Sequence, residues 1–227
     1  MMFVGKQRPK GLEFPTCEPC NHGTSHADLV ASLLGRTFPD PDSQQGQNDV
    51  KKLLSAVSNN IPGLLEEMYV GKAGQKIARR NIPKMPDGAA VLRADGSLVA
   101  RHMRIFAAKM GYALHYQAFG KPVPPEGAVQ PLWFSNTQAA RGELPMSAIE
   151  LLPKKQTLRQ GTKEVGDQFE YSWRVTDEGR HGVFYCVFRS SFAVFAVTAL
   201  DRSELLEGNA DRFPLVIPGD FRRLRPT

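Results

Sequence analysis

Two cysteines near the start of the chain are the residues whose type and spacing best suit specific chemistry. Cys17 and Cys20 form a C-x-x-C motif in the polar segment 12–25. Two thiolates at this spacing can bind one zinc ion from a tight turn, but a closed structural zinc site needs four ligands. The motif therefore predicts half of a zinc site.

Two histidines close to this motif are candidates for the missing ligands. Ser25 and Asp28 have capping-box spacing and precede an apolar stripe, which predicts a short helix that ends at Gly35. His26 would lie in its first turn, within reach of a metal held by the cysteines, whereas His22 would lie in the loop before it. Upstream residues or a partner chain are alternative sources of ligands. The predicted zinc ligands are thus Cys17, Cys20, His26 and His22.

The same motif also suits dithiol redox chemistry. Pro19 stands beside the second cysteine and a helix follows, which is compatible with a reactive thiol pair. A redox motif of this kind should begin its helix directly after a buried strand of a βαβ unit. Here four polar residues precede the predicted helix, and the sequence indicates no such unit. A dithiol redox protein is therefore the second alternative.

Residues 3 to 35 resemble the HNH endonuclease superfamily, particularly divergent bacterial members in which a C-x-x-C-Asn element precedes a helix. The element here is Cys17-Glu18-Pro19-Cys20-Asn21. The resemblance implies a ββα module with a catalytic, metal-binding histidine, an asparagine that orients it, and a structural zinc held by paired C-x-x-C motifs. It also implies metal-dependent phosphodiester hydrolysis, with DNA as the partner.

The resemblance covers only the second half of such a module. The family pattern has a C-x-x-C and a histidine-containing segment further upstream, but no cysteine or histidine precedes Cys17. We therefore expect an HNH-like protein that is truncated or inactive, because it lacks the family's general base. If it is active with a divalent metal, His22 and Asn21 are the candidate catalytic residues. The first alternative is a non-enzymatic binding or structural module that a structural zinc ion stabilises.

The charge balance favours an acidic partner such as DNA. The chain has 29 Lys and Arg against 23 Asp and Glu, a formal charge of +6. Solvated surfaces without a partner are the alternative interpretation. The cations form three clusters, which are Lys6, Arg8 and Lys10, then Lys72, Lys76, Arg79, Arg80 and Lys84, and finally Arg222, Arg223 and Arg225.

Hydrophobic spacing predicts an α+β fold with a helical middle region and a C-terminal antiparallel β-meander. Apolar residues at helical intervals predict a helix near 50–57 and a long helix over 98–119, ended by Gly120. After about residue 141 the pattern changes, and alternating residues over 169–175 with β-rich runs over 182–189 and 191–199 predict three strands. The last strand, apolar on both faces, should be central or covered by a helix.

These patterns predict three segments. Residues 1–37 would be a partial HNH-like zinc-knuckle segment with a short helix, 38–48 a linker, and 49–227 an α+β body of unknown function. Because the strand aromatics lie in the body, deletion of residues 1–46 is expected to leave a folded protein.

The sequence predicts a cytoplasmic protein with no membrane partner. It contains no apolar run of about 18 residues and no apolar core of a signal peptide at its start. Its three cysteines cannot form a complete disulfide framework, and Cys186 lies in an apolar run that predicts a buried structural thiol.

Overall fold

The computed structural model describes residues 10–11, 14–37, 44–81, 91–160, 163–176, 178–205 and 214–223. In these ranges the chain has the predicted α+β class. Its α-helices are α1 (Glu18–Gly23), α2 (Ser25–Thr37), α3 (Gln44–Asn60), α4 (Leu64–Met68), α5 (Lys72–Asn81), α6 (Ser97–Phe119), α7 (Asn136–Ala140) and α8 (Met146–Ile149). Short 3-10 helices span Arg202–Glu204 and Asp220–Arg223.

An antiparallel sheet forms the C-terminal half of the fold. The strands are β1 (Ala128–Ser135), β2 (Gln156–Thr157), β3 (Arg159–Gln160), β4 (Lys163–Glu164), β5 (Phe169–Val175), β6 (His181–Phe188) and β7 (Phe192–Ala199). The strand order of this sheet is β1-β7-β6-β5-β2, and a separate pair is formed by β3 and β4. The predicted meander is confirmed as β5-β6-β7, and β7 is central, between β1 and β6.

The long helix α6 packs against this sheet and ends at Gly120, as the sequence predicts. Gly120 has a φ of 69°, a left-handed conformation that glycine adopts without strain. At the contact with the sheet, a Cβ on Gly111 would lie only 2.6 Å from the Cγ1 atom of Val129. The absence of a side chain at residue 111 therefore allows α6 to approach β1 closely.

The N-terminal segment shares its core with the rest of the fold. Val30 and Leu33 of α2 are fully buried in the same hydrophobic cluster as Met103 of α6 and Phe184 of β6. This packing differs from the predicted division into a knuckle segment (1–37) and an independent body (49–227). The short apolar stripe of α2 is buried where this helix packs against α3 and α6.

The predicted linker 38–48 is partly helical. Residues 38–43 lie outside the described ranges, but α3 already begins at Gln44. Arg36 of α2, only 2% exposed, forms an ion pair with Asp49 of α3, with 3.0 Å between Nη2 and Oδ2. This buried ion pair links α2 directly to α3.

The predicted capping box at the start of α2 is absent. The Ser25 hydroxyl donates to the carbonyl of His22 at 2.8 Å, and the Asp28 carboxylate instead pairs with Lys109 of α6 at 2.6 Å. Only Thr24 separates α1 from α2, and its carbonyl accepts from the backbone N–H of Asp28 at 3.0 Å. The preceding turn thus supplies the acceptors that a capping side chain would provide. At its other end, α2 continues past Gly35 to Thr37.

Two further observations concern the predicted compartment and the third cysteine. No helix within the described ranges has the length and apolar character needed to cross a membrane. Cys186 on β6 is fully buried, as predicted, and this burial raises the pKa of its thiol.

Candidate site at the paired cysteines

The two cysteines of the motif lie together at the start of α1. Cys17 is the N-cap residue, and its sulfur accepts a hydrogen bond from the backbone N–H of Cys20 at 3.4 Å. The two Sγ atoms are 2.7 Å apart, both thiols are free, and both side chains are partly exposed. The C-x-x-C spacing therefore produces an accessible thiol pair.

The helix at this site begins immediately after Cys17. Pro19 occupies the first turn, where its missing N–H has no helical partner to lose. The backbone N–H of Asn21 donates to the carbonyl of Cys17 at 2.9 Å and closes the turn. This differs from the prediction that four polar residues separate the motif from its helix. The other feature expected of the redox class, a βαβ unit, is absent from the described part of the chain, whose sheets are antiparallel.

Arg222 is a part of the site that the sequence analysis missed. The 3-10 helix Asp220–Arg223 packs beside α1, and Arg222 lines the same cleft as Cys17 and Cys20, where the two thiols raise the pKa of its guanidinium. In the sequence, Arg222 is one of several arginines near the end of the chain. No local pattern connects it with cysteines so distant along the chain.

The surroundings of the two thiols move their pKa values in opposite directions. A hydrogen bond from the Cys20 thiol lowers the pKa of the Cys17 thiol. The backbone N–H of Cys20 and the Arg222 guanidinium lower this pKa further. Burial, followed by the interaction with Cys17, raises the pKa of Cys20 despite the nearby Arg222. Cys17 therefore loses its proton first, and Cys20 remains a thiol that stabilises the Cys17 thiolate.

The other predicted site residues do not gather around the two cysteines. Asn21 and His22 are exposed on α1, so His22 lies in a helix and not in the predicted loop. His26 lies in the first turn of α2, as predicted, but its ring lies 6.2 Å from that of His102, between centroids. Among the described residues, no three or more His, Cys, Asp or Glu side chains are grouped to hold a metal ion. A catalytic role for His22 and Asn21 stays a prediction.

A cleft of about 290 Å³ opens beside the thiol pair. The Tyr112 hydroxyl on its wall donates to the carbonyl of Val216 at 2.9 Å, and burial raises the pKa of this tyrosine. Tyr112 therefore stays neutral and acts as a wall residue. The aromatic side chains that line the cleft are Phe14, Tyr112, Tyr116 and Phe221.

Comparison with known proteins finds no relative of this chain. No family model matches the chain, and no curated protein or solved structure is significantly similar to it.

Proposed function

We propose that the chain is an HNH-like, nucleic-acid-directed protein in which Cys17 and Cys20 supply two of the four ligands of a structural zinc site. The observation that carries the proposal is the adjacency of the two sulfurs, 2.7 Å apart, at the start of a helix. This arrangement fits the C-x-x-C-Asn element of the family that residues 3–35 resemble. The formal charge of +6 supports an acidic partner such as DNA.

The donor chemistry of the pair fits zinc, although it provides only half of a site. Zinc binds thiolates, and the lowered pKa of Cys17 favours the form that binds the metal. The remaining two ligands would be the predicted His26 and His22, or residues upstream of Cys17 or of a partner chain. When bound, zinc would hold the turn at the start of α1. Arg222 lines the same cleft as the two sulfurs, so its positive charge would lie near the site.

We expect the purified chain to bind zinc weakly or substoichiometrically, and Cys17→Ser to abolish this binding. An isolated pair of thiolates binds zinc much less tightly than a complete set of four ligands. Zinc content after equilibration with excess metal and buffer exchange measures the effect. The matched control is Cys186→Ala, which removes the buried thiol and should leave zinc content unchanged.

Stoichiometric zinc that survives Cys17→Ser would overturn this metal assignment. Metal-dependent nicking of a supercoiled plasmid separates an active nuclease from a binding module. If nicking occurs, its loss in His22→Ala with zinc content unchanged would support His22 as the general base.

A dithiol redox function is the second candidate, favoured by the start of α1 directly at the motif and by the contact between the two sulfurs. In this reaction the Cys17 thiolate attacks a substrate disulfide, forms a mixed disulfide and releases one substrate thiolate, which takes up a proton. Cys20 then loses its proton and attacks the Cys17 sulfur, which releases the second substrate thiol. The substrate disulfide gains two electrons, and the Cys17–Cys20 pair is oxidised to a disulfide.

Alkylation by iodoacetamide tests the thiol pair in protein freed of metal by a chelator. We expect Cys17 to react faster than Cys20 at neutral pH, with a rate that rises through a pKa below that of an ordinary thiol. Cys20→Ala should raise this pKa, because it removes the hydrogen bond from the Cys20 thiol to Cys17. Mass spectrometry of peptides over a pH series measures both rates. Faster reaction of Cys20 would contradict the assignment of Cys17 as the nucleophile, and an unchanged pKa of Cys17 in Cys20→Ala would contradict stabilisation of the thiolate by the Cys20 thiol.

A further inference from the structure

Helix α5 carries four cations on one face. Lys72, Lys76, Arg79 and Arg80 occupy positions i, i+4, i+7 and i+8, which lie within about 100° of one another around a helix. All four side chains are exposed, and the helix contains no acidic residue. This cation strip, defined as these four residues, is a continuous positive surface.

The opposite face of α5 is held by hydrogen bonds to the chain segments before and after the helix. Gly74, Gln75 and Ala78 are its half-buried residues. The Gln75 side chain donates to the carbonyl of Val91 at 2.7 Å and accepts from the backbone N–H of Val91 at 2.8 Å. A second contact runs from the Gln75 amide to the carbonyl of Val70 at 3.1 Å. These bonds set the rotation of the helix, so the cation strip faces outward.

We propose that the cation strip of α5 binds the phosphate backbone of duplex DNA without reading its sequence. The proposal rests on the nucleic-acid-directed function above and specifies the surface that performs it. Lysine and arginine side chains displace the counterions that surround DNA, which makes such binding favourable and dependent on salt. Phosphate contacts position a protein on DNA but carry no sequence information.

The chemistry of the neighbouring surface favours DNA over a membrane. A helix that lies in a membrane interface needs a broad face of bulky apolar side chains beside its basic face. On α5 the one large apolar side chain is Ile77, which is 59% exposed, and the remaining apolar residues are Ala73 and Ala78. Tyr69, 71% exposed just before the helix, adds one amphipathic ring. This apolar surface is too small to anchor the helix in lipid.

Binding of the full chain to fluorescently labelled duplex DNA over a series of salt concentrations tests the proposal. Lys76→Gln with Arg80→Gln removes two exposed cations from the strip. We expect the slope of log K against log salt to become shallower by about 2, because each phosphate contact contributes about 1. Affinity at low salt should fall at least about tenfold. The matched control is Lys51→Gln with Lys52→Gln, which removes the same charge from exposed positions of α3.

Each outcome of this experiment has a distinct meaning. Loss of affinity in the α5 variant alone, equal for unrelated DNA sequences, supports the cation strip. Equal loss in both variants would overturn it in favour of net charge, and unchanged binding in the α5 variant would overturn it while leaving a nucleic-acid function intact. If the wild-type chain binds no DNA even at low salt, the nucleic-acid part of the proposed function fails as well. Binding to vesicles of phosphatidylserine that depends on Lys76 and Arg80, without binding to DNA, would also overturn the proposal.

Discussion

Leu33→Ala is expected to lower the free energy of unfolding by about 2 to 5 kcal/mol, the range for truncating a buried leucine. Leu33 is fully buried in the hydrophobic cluster that α2 shares with α6 and the sheet. Its removal leaves a cavity whose walls belong to several elements, so the site cannot collapse around the smaller side chain. Chemical denaturation measures the effect as a shift in midpoint at constant slope.

The matched control for this variant is Leu54→Ala on α3. Leu54 is 37% exposed, so the same change should cost less than about 1 kcal/mol. Equal costs for the two variants would show that α2 does not belong to the common core, which would restore the predicted boundary after residue 37. With α2 in the core, deletion of residues 1–46 should unfold the protein instead of leaving an independent body.

Asp49→Ala is expected to destabilise the fold by about 2 to 3 kcal/mol. The variant removes the carboxylate that lies 3.0 Å from the buried Arg36 guanidinium, and loss of an opposite charge beside a buried cation is costly. Removing one partner of a fully buried pair costs about 3 to 5 kcal/mol. The expected loss is smaller because 25% of the Asp49 side chain is exposed. Thermal and denaturant unfolding both measure the change.

Asp95→Ala is the control for the ion pair. Asp95 pairs with Arg93 at 3.2 Å, but the two side chains are 80% and 55% exposed. Water solvates both charges after the pair is broken, so the cost should be at most about 1 kcal/mol. A loss in Asp49→Ala no larger than this would indicate that Arg36 is satisfied without Asp49, and that the pair does not hold α2 to α3.

The regular elements were predicted from sequence where the pattern is long and local. The apolar face over 98–119 and the left-handed glycine at its end identify α6, alternating residues identify β5, and β-rich runs identify β6 and β7. Prediction was weaker where two short helices meet. Thr24 joins α1 to α2 with backbone bonds, and no side-chain signal in the sequence distinguishes this junction from a capped helix after a loop.

By itself, the sequence determined the α+β class, the meander, and the closeness of Cys17 to Cys20, because each depends on residues only a few positions apart. Only the tertiary structure decided what surrounds these elements. It buries α2 in the common core, sets Arg222 against the two thiols, and turns the cations of α5 outward by the hydrogen bonds of Gln75. These features depend on contacts between segments far apart in the chain. Such contacts form because they bury apolar side chains and pair polar groups across the whole fold. The local hydrophobic periodicity of the sequence does not predict them.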